Sequence, residues 1–223
     1  MSKALKKLCI VVGVGPGLGL AIAKRFGKNE FKIAMVARSK SRLLKYQKDL
    51  AKYGIDSAPY PCDVGNLKAL ASAFDNICSE HGNAEVLAYN VSILNPGTPS
   101  EISVDAFVDD FKVNVAGALV AFQRMTPQMK GNKEAAIILT GGGLATDPYF
   151  EFASLGAGKA ALRNLAMSMA QEGAKLGIRV ATITIKGMIK KGTYFDPEKI
   201  SLEIWKIYKN KPKRKDAEVV YAK

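Results

Sequence analysis

Val11-Val12-Gly13-Val14-Gly15-Pro16-Gly17-Leu18-Gly19, led by the apolar run Leu8-Cys9-Ile10, is the stretch that decides the fold. A short β-branched run that breaks into closely spaced glycines, then into an amphipathic segment, predicts a buried strand feeding a helix N-terminus. Glycines there turn tightly and let main-chain N–H groups approach a pyrophosphate with no Cβ between them. The segment is read as a dinucleotide-binding turn built from Gly13, Gly15, Gly17, Leu18 and Gly19. Ala21, Ile22 and Phe26 follow at helical spacing, and residues 31–37 read as a second buried strand.

The alternation continues outward from that unit. A polar helix is predicted around 43–52, a strand at 57–60, a helix at 67–78 and a strand at 85–89. A long helix at 104–125 precedes a strand at 136–140, and a helix at 157–171 precedes a strand at 179–185. Residues 200–208 read as a helix anchored by Ile204 and Trp205, and 219–221 as a last edge strand. Strands separated by helices predict a parallel sheet with right-handed crossovers and helices on both faces. Ligands then gather at the carboxyl ends of the strands.

With 223 residues, 48% of them hydrophobic, and no linker or repeat, the chain reads as one domain over 1–223, with a basic segment at 206–223. Cys9, Cys62 and Cys78 are scattered and form no C-x-x-C pair, which argues against a disulfide framework or a thiolate metal site and fits a reducing cytoplasm. The lysines and short apolar run at the start mimic a signal peptide, but the run leads directly into the glycine turn and is read as the first strand. No apolar stretch approaches the roughly 20 residues that span a bilayer, so a soluble product is expected. The formal net charge of +13 favours anionic ligands. Lys206, Lys209, Lys211, Lys213, Arg214 and Lys215 cluster near the C-terminus without interleaved aromatic platforms, so they read as a solvated face and nucleic acid is not the expected partner.

Five features in order now resemble the short-chain dehydrogenases/reductases: the glycine pattern Gly13-xxx-Gly17-x-Gly19, Asp63-Val64, Asn90 in Y-N-V-S, Asn114 in K-V-N-V, and Lys159 on a helix. The resemblance implies a single-domain Rossmann-type α/β fold, a doubly wound parallel sheet of about seven strands in a three-layer αβα sandwich. It implies that Asp63 and Val64 meet the adenine, that Asn90 and Val91 flank a cofactor ribose, and that Lys159 holds the nicotinamide ribose hydroxyls. By themselves Asp63 reads equally as a turn former and Asn90 as a strand-end cap. After the second strand stand Arg38 and Ser39, where an NAD site has an acid for the ribose 2′-hydroxyl. A guanidinium suits a 2′-phosphate, so NADP(H) is preferred over NAD(H). Gly187 and Thr193 are assigned to the nicotinamide end, although the family's Pro-Gly before that threonine is absent. The resemblance further implies a homodimer or homotetramer through the helices at 104–125 and 157–171.

The catalytic helix of that family carries Y-x-x-x-K, and this chain has Leu155-Gly156-Ala157-Gly158-Lys159. Its serine after the fifth strand is also missing, with Gly142 nearest that position. Asn114 and Lys159 are therefore the catalytic candidates that remain. Loss of a positioned acid typically forfeits about 10²- to 10⁴-fold in rate. Tyr149, Thr140 and Tyr194 are conceivable substitutes, but no spacing aims their hydroxyls at a nicotinamide. His81 in E-H-G reads as a helix end. Two functions stay open: a divergent NADP-dependent oxidoreductase for a small-molecule carbonyl or alcohol, and a non-catalytic NADP(H)-binding sensor or scaffold. Substrate specificity is expected in 92–98, 144–152 and 188–197.

Overall fold

Cys9, Ile10, Val11 and Val12 are all fully buried, so β1 (Lys7–Val12) runs through the middle of the molecule. The computed structural model describes residues 7–210 and 217–223. Around β1 assemble β2 (Phe31–Ala37), β3 (Ser57–Pro61), β4 (Ala84–Tyr89), β5 (Ala136–Gly142), β6 (Arg179–Ile185) and β7 (Glu218–Tyr221). Their order is β3-β2-β1-β4-β5-β6-β7, and every neighbouring pair is parallel. A parallel sheet is covered on both faces, which is why its inner strands read as continuous apolar runs.

Alternation along each strand assigns the two layers. Cys9 and Val11 pack with α1 (Leu18–Gly27), α2 (Lys40–Ala51) and α7 (Pro197–Asn210) through Ile22, Phe26, Leu43, Leu50, Ile200 and Ile204. Leu8, Ile10 and Val12 pack with α3 (Leu67–His81), α5 (Gly117–Met129) and α6 (Ala153–Leu176) through Phe74, Phe122, Met125, Leu162 and Ala166. Trp205 closes the first layer edge-on to Phe26, with ring centroids 5.1 Å apart. Sheet order reverses at β1, between β2 and β4, and such a switch opens a crevice at the strands' carboxyl ends.

The helix expected at 104–125 is not one regular α-helix. It is α4 (Val104–Phe111), a π turn at Lys112–Ala116, and then α5. The buried hydroxyl of Tyr89 donates to the Val113 carbonyl at 2.8 Å inside that turn. Gly117 is required beside it, because a Cβ there would lie 2.3 Å from the same hydroxyl oxygen. The helix expected from 157 starts at Ala153 and ends at Gly177, whose φ of +74° forms a left-handed cap. Of the basic cluster, Lys211, Lys213, Arg214 and Lys215 lie outside the described residues. Lys206 pairs with Glu203 at 2.7 Å and Lys209 sits 5.8 Å over the Trp205 ring, in keeping with a solvated helix face.

Candidate functional site

The glycines of the opening turn divide into two kinds. Gly13 has φ +85°, and a Cβ on it would lie 2.3 Å from the Asn90 carbonyl oxygen. A Cβ on Gly19 would lie 2.4 Å from the Gly13 carbonyl oxygen, so these two glycines let β1, β4 and α1 close on one another. Gly15 and Gly17 have no atom within 4 Å of a built Cβ, which leaves the outer side of the turn open. Gly17 precedes α1 without a side-chain cap, and the first turn, where Leu18 lies, carries no acid. The first N–H groups of a helix lack partners within it, so an uncapped N-terminus is a seat for an anion.

That turn forms one wall of a cleft of about 460 Å³, lined also by Arg38, Ser39, Arg42, Asp63, Val64, Asn90 and Val91. Ser39 caps α2, its hydroxyl accepting from the Arg42 N–H at 3.4 Å, and α2 likewise has no acid in its first turn. Arg38 and Arg42 are exposed. Asp63 is a turn former as well as a cleft residue: its Oδ1 accepts from the Gly65 N–H at 3.0 Å, which leaves Oδ2 for a ligand. Asn90 donates from Nδ2 to the Gly13 carbonyl at 3.2 Å and so ties the turn to β4.

Lys159 and Asn114 do not line the cleft themselves, but each bonds the backbone of a residue that does, Val91 and Ile93. Lys159 is buried, and its Nζ donates to the carbonyl oxygens of Thr140 at 2.9 Å and Val91 at 3.5 Å. Burial pushes its pKa down from 10.5 to about 8. Asn114, in the π turn, accepts the Ile93 N–H on Oδ1 at 2.9 Å, and its buried Nδ2 has no partner. Gly158 makes this fit possible, since a Cβ there would be 3.1 Å from the Asn114 Cβ. The structure thus brings Asn114 and Lys159 to the segment that leaves β4, at Ile93 and Val91, with Lys159 also bonded to Thr140 near the end of β5.

The position of Leu155 is buried and apolar. A Cβ on Gly142 would lie 3.6 to 3.8 Å from the Lys159 stem, an ordinary contact. None of the substitute hydroxyls reaches Lys159. Thr140 offers its carbonyl, Tyr194 stacks on Tyr221 at 5.0 Å, and Tyr149 packs on Phe150 at 5.2 Å. Glu151 beside the Tyr149 hydroxyl raises its pKa, making it a poorer acid.

Gly187 and Thr193 do not line the cleft. A Cβ on Gly187 would strike the Phe195 ring at 2.2 Å, so packing explains that glycine. Thr193 donates to the Lys190 carbonyl at 2.7 Å and accepts from the Phe195 N–H at 3.1 Å, a local turn within its own loop. His81 bonds Tyr60 at 2.7 Å at the end of α3, and no group of three metal-ligating side chains occurs among the described residues. Sequence reading missed a buried cluster: Asp110 accepts from Asn95 at 2.7 Å and from the Ser154 hydroxyl. Asp110 lies four residues before Asn114, on the same helical side, and that spacing was the available signal.

The lowered pKa of Lys159 has a measurable sign. Between about pH 8 and 10.5 the unfolded chain holds the lysine proton more tightly than the folded one, so stability rises with pH. Burial-raised tyrosines titrate alike in wild type and Lys159→Met, so their effect cancels in the difference. Urea unfolding from pH 7 to 10 is expected to move that difference toward the wild type by up to about 3 kcal/mol. A pH-independent difference would contradict a buried, depressed ammonium.

Comparison with known proteins accords with this geometry. The chain is 25% identical over 174 residues to 2,3-dihydro-2,3-dihydroxybenzoate dehydrogenase of Escherichia coli (strain K12), covering 78% of this chain and 66% of that protein. A metagenomic short-chain oxidoreductase solved with NADP shares the fold, with TM-score 0.86, 20% identity, and 96% of each chain covered. An NAD⁺-bound xylitol dehydrogenase superposes with TM-score 0.76 at 25% identity, covering 82% of this chain and 72% of that one. No helix among the described residues is long and apolar enough to cross a membrane. Residues 7–194 match the family model described as short chain dehydrogenase, and with that match over most of its length the chain belongs to the short-chain dehydrogenase/reductase family.

Proposed function

We propose that this chain is an NADP(H)-dependent oxidoreductase that interconverts a small-molecule carbonyl and its alcohol, slowed by the absence of hydroxyls at positions 155 and 142. One observation carries the reading: Gly15, with an open Cβ position, and the cations Arg38 and Arg42 border one cleft, and the uncapped α1 N-terminus follows two residues on in the same turn. When bound, NADP(H) supplies or accepts the hydride at its nicotinamide. The main-chain N–H groups of Gly15, Gly17, Leu18 and Gly19 bind the diphosphate, and Arg38, Ser39 and Arg42 receive the 2′-phosphate. Asp63 accepts from the adenine amino group, with Val64 against the ring, and Asn90 and Val91 flank the ribose. Lys159 holds the nicotinamide ribose hydroxyls, and the free Asn114 Nδ2 donates toward the reacting end. Gly187 and Thr193 act on that end only if their loop rearranges.

The whole chain serves as a single domain in a reducing, cytoplasmic setting, in keeping with three free cysteines. Val104, Val108 and Phe111 expose an apolar stripe along α4, which supports a homodimer or homotetramer through α4, α5 and α6. The second reading, a non-catalytic NADP(H) sensor or scaffold, is favoured by Leu155 and Gly142 alone; it requires nucleotide binding without turnover on any ketone.

Calorimetric titration tests the proposal. NADPH is expected to bind more tightly than NADH, and Arg38→Ala to weaken NADPH about tenfold by removing a charge-assisted contact, with NADH unchanged. Equal losses for both coenzymes would remove the 2′-phosphate from Arg38.

A further inference from the structure

Three loops leave the carboxyl ends of β4, β5 and β6, and they are tied together. Gly97 N–H donates to the Glu151 carbonyl at 2.7 Å and the Ala153 N–H to the Gly97 carbonyl at 3.2 Å, which joins the first loop to the second. Lys186 Nζ donates to Asp147 at 2.9 Å, which joins the second to the third. These ties consume polar side chains. Asn95 is held by Asp110, Thr146 by the Gly143 carbonyl and Asp147, Thr98 by Glu101, and Thr193 by its own turn.

Outward the loops present large apolar side chains, interspersed with the exposed Ser92, Glu151, Lys190 and Lys191. Met188 is 83% exposed, Leu94 64% and Phe150 61%, with Ile189 and Tyr149 also exposed. Exposed apolar side chains on three loops joined to one another mark a binding surface. The inner end is apolar too, through Leu155 and Val91, with Ser92 and Ile93 on the cleft wall.

We infer that these loops form a site for an elongated, uncharged apolar carbonyl or alcohol, such as a medium-chain ketone, in preference to a small polyhydroxylated one. The inference rests on the oxidoreductase reading for its orientation, the carbonyl toward Lys159 and the chain along Leu94, Phe150 and Met188. Each methylene that leaves water on binding adds affinity, a gain that a polyol, which gives up its hydration on entering, does not share.

The test titrates the full chain calorimetrically with 2-hexanone, 2-octanone, 2-decanone and dihydroxyacetone, with and without saturating NADPH. Affinity is expected to rise about threefold per methylene, with dihydroxyacetone far weaker. Phe150→Ser and Met188→Ser, both at exposed positions that spare the core, are each expected to weaken 2-decanone about tenfold while NADPH binds as before. Affinity independent of chain length, or dihydroxyacetone binding as tightly as 2-decanone, would overturn the inference. So would variants that change the sedimentation mass and leave 2-decanone untouched, because the patch would then seat a second copy of the chain. Length-dependent ketone binding without any NADPH heat would support the apolar site and overturn the nucleotide reading alone.

Discussion

The double variant Leu155→Tyr with Gly142→Ser is expected to raise NADPH-driven ketone reduction by about 10²- to 10⁴-fold, the usual contribution of a positioned acid. Residue 155 lies four positions before Lys159 on α6, so both project from the same helical side. A cation there favours the ionised phenol and brings a tyrosine toward a usable acid. The backbone at 142 accepts a side chain, because a Cβ there makes only ordinary contact with the Lys159 stem. Steady-state NADPH oxidation over the alkanone series measures the gain. Adding Lys159→Met should return it to the starting level. No gain in a variant that still binds NADPH, or a gain indifferent to Lys159→Met, would show that missing hydroxyls do not limit this chain.

The second large effect falls on stability. Gly13→Ala places a methyl group at φ +85° and 2.3 Å from the Asn90 oxygen, so the backbone of β4 or of the turn must yield. Strain of that kind together with overpacking costs about 3 kcal/mol. Gly15→Ala meets nothing within 4 Å and should change urea stability by less than about 0.5 kcal/mol. Equal stabilities for the two variants would contradict the division of the glycines into packing and open positions.

The sheet was legible because its strands are buried on both faces and punctuated by turn residues, as in Phe31–Ala37 and Arg179–Ile185. The first half of the site was legible for a related reason: glycines at Gly13 and Gly19 answer to backbone constraints that hold wherever this turn is built. The π turn at Lys112–Ala116 was hidden, since one inserted residue barely disturbs helical periodicity, yet it carries Asn114 into the site. The start of α6 was placed late because Gly156 and Gly158 depress helix propensity. Tertiary contacts override that preference, with Gly158 against Asn114 and Ser154 bonded to Asp110. Asp110 escaped notice because its four-residue spacing to Asn114, the one signal available, does not by itself distinguish a buried carboxylate from its exposed neighbours Asp105 and Asp109. That Asn95, Thr98, Thr146 and Thr193, in the loops after β4, β5 and β6, spend their polar groups on contacts within the protein emerged only from the structure.

The most direct measurement is calorimetric titration of the purified chain with NADPH, run beside Gly15→Glu. A carboxylate at this open position leaves the fold intact and repels a diphosphate at the α1 N-terminus. Saturable one-site binding to the wild type, lost in Gly15→Glu with its melting temperature unchanged, is the predicted result. Undiminished NADPH binding in that variant, or no binding heat in the wild type, would contradict it.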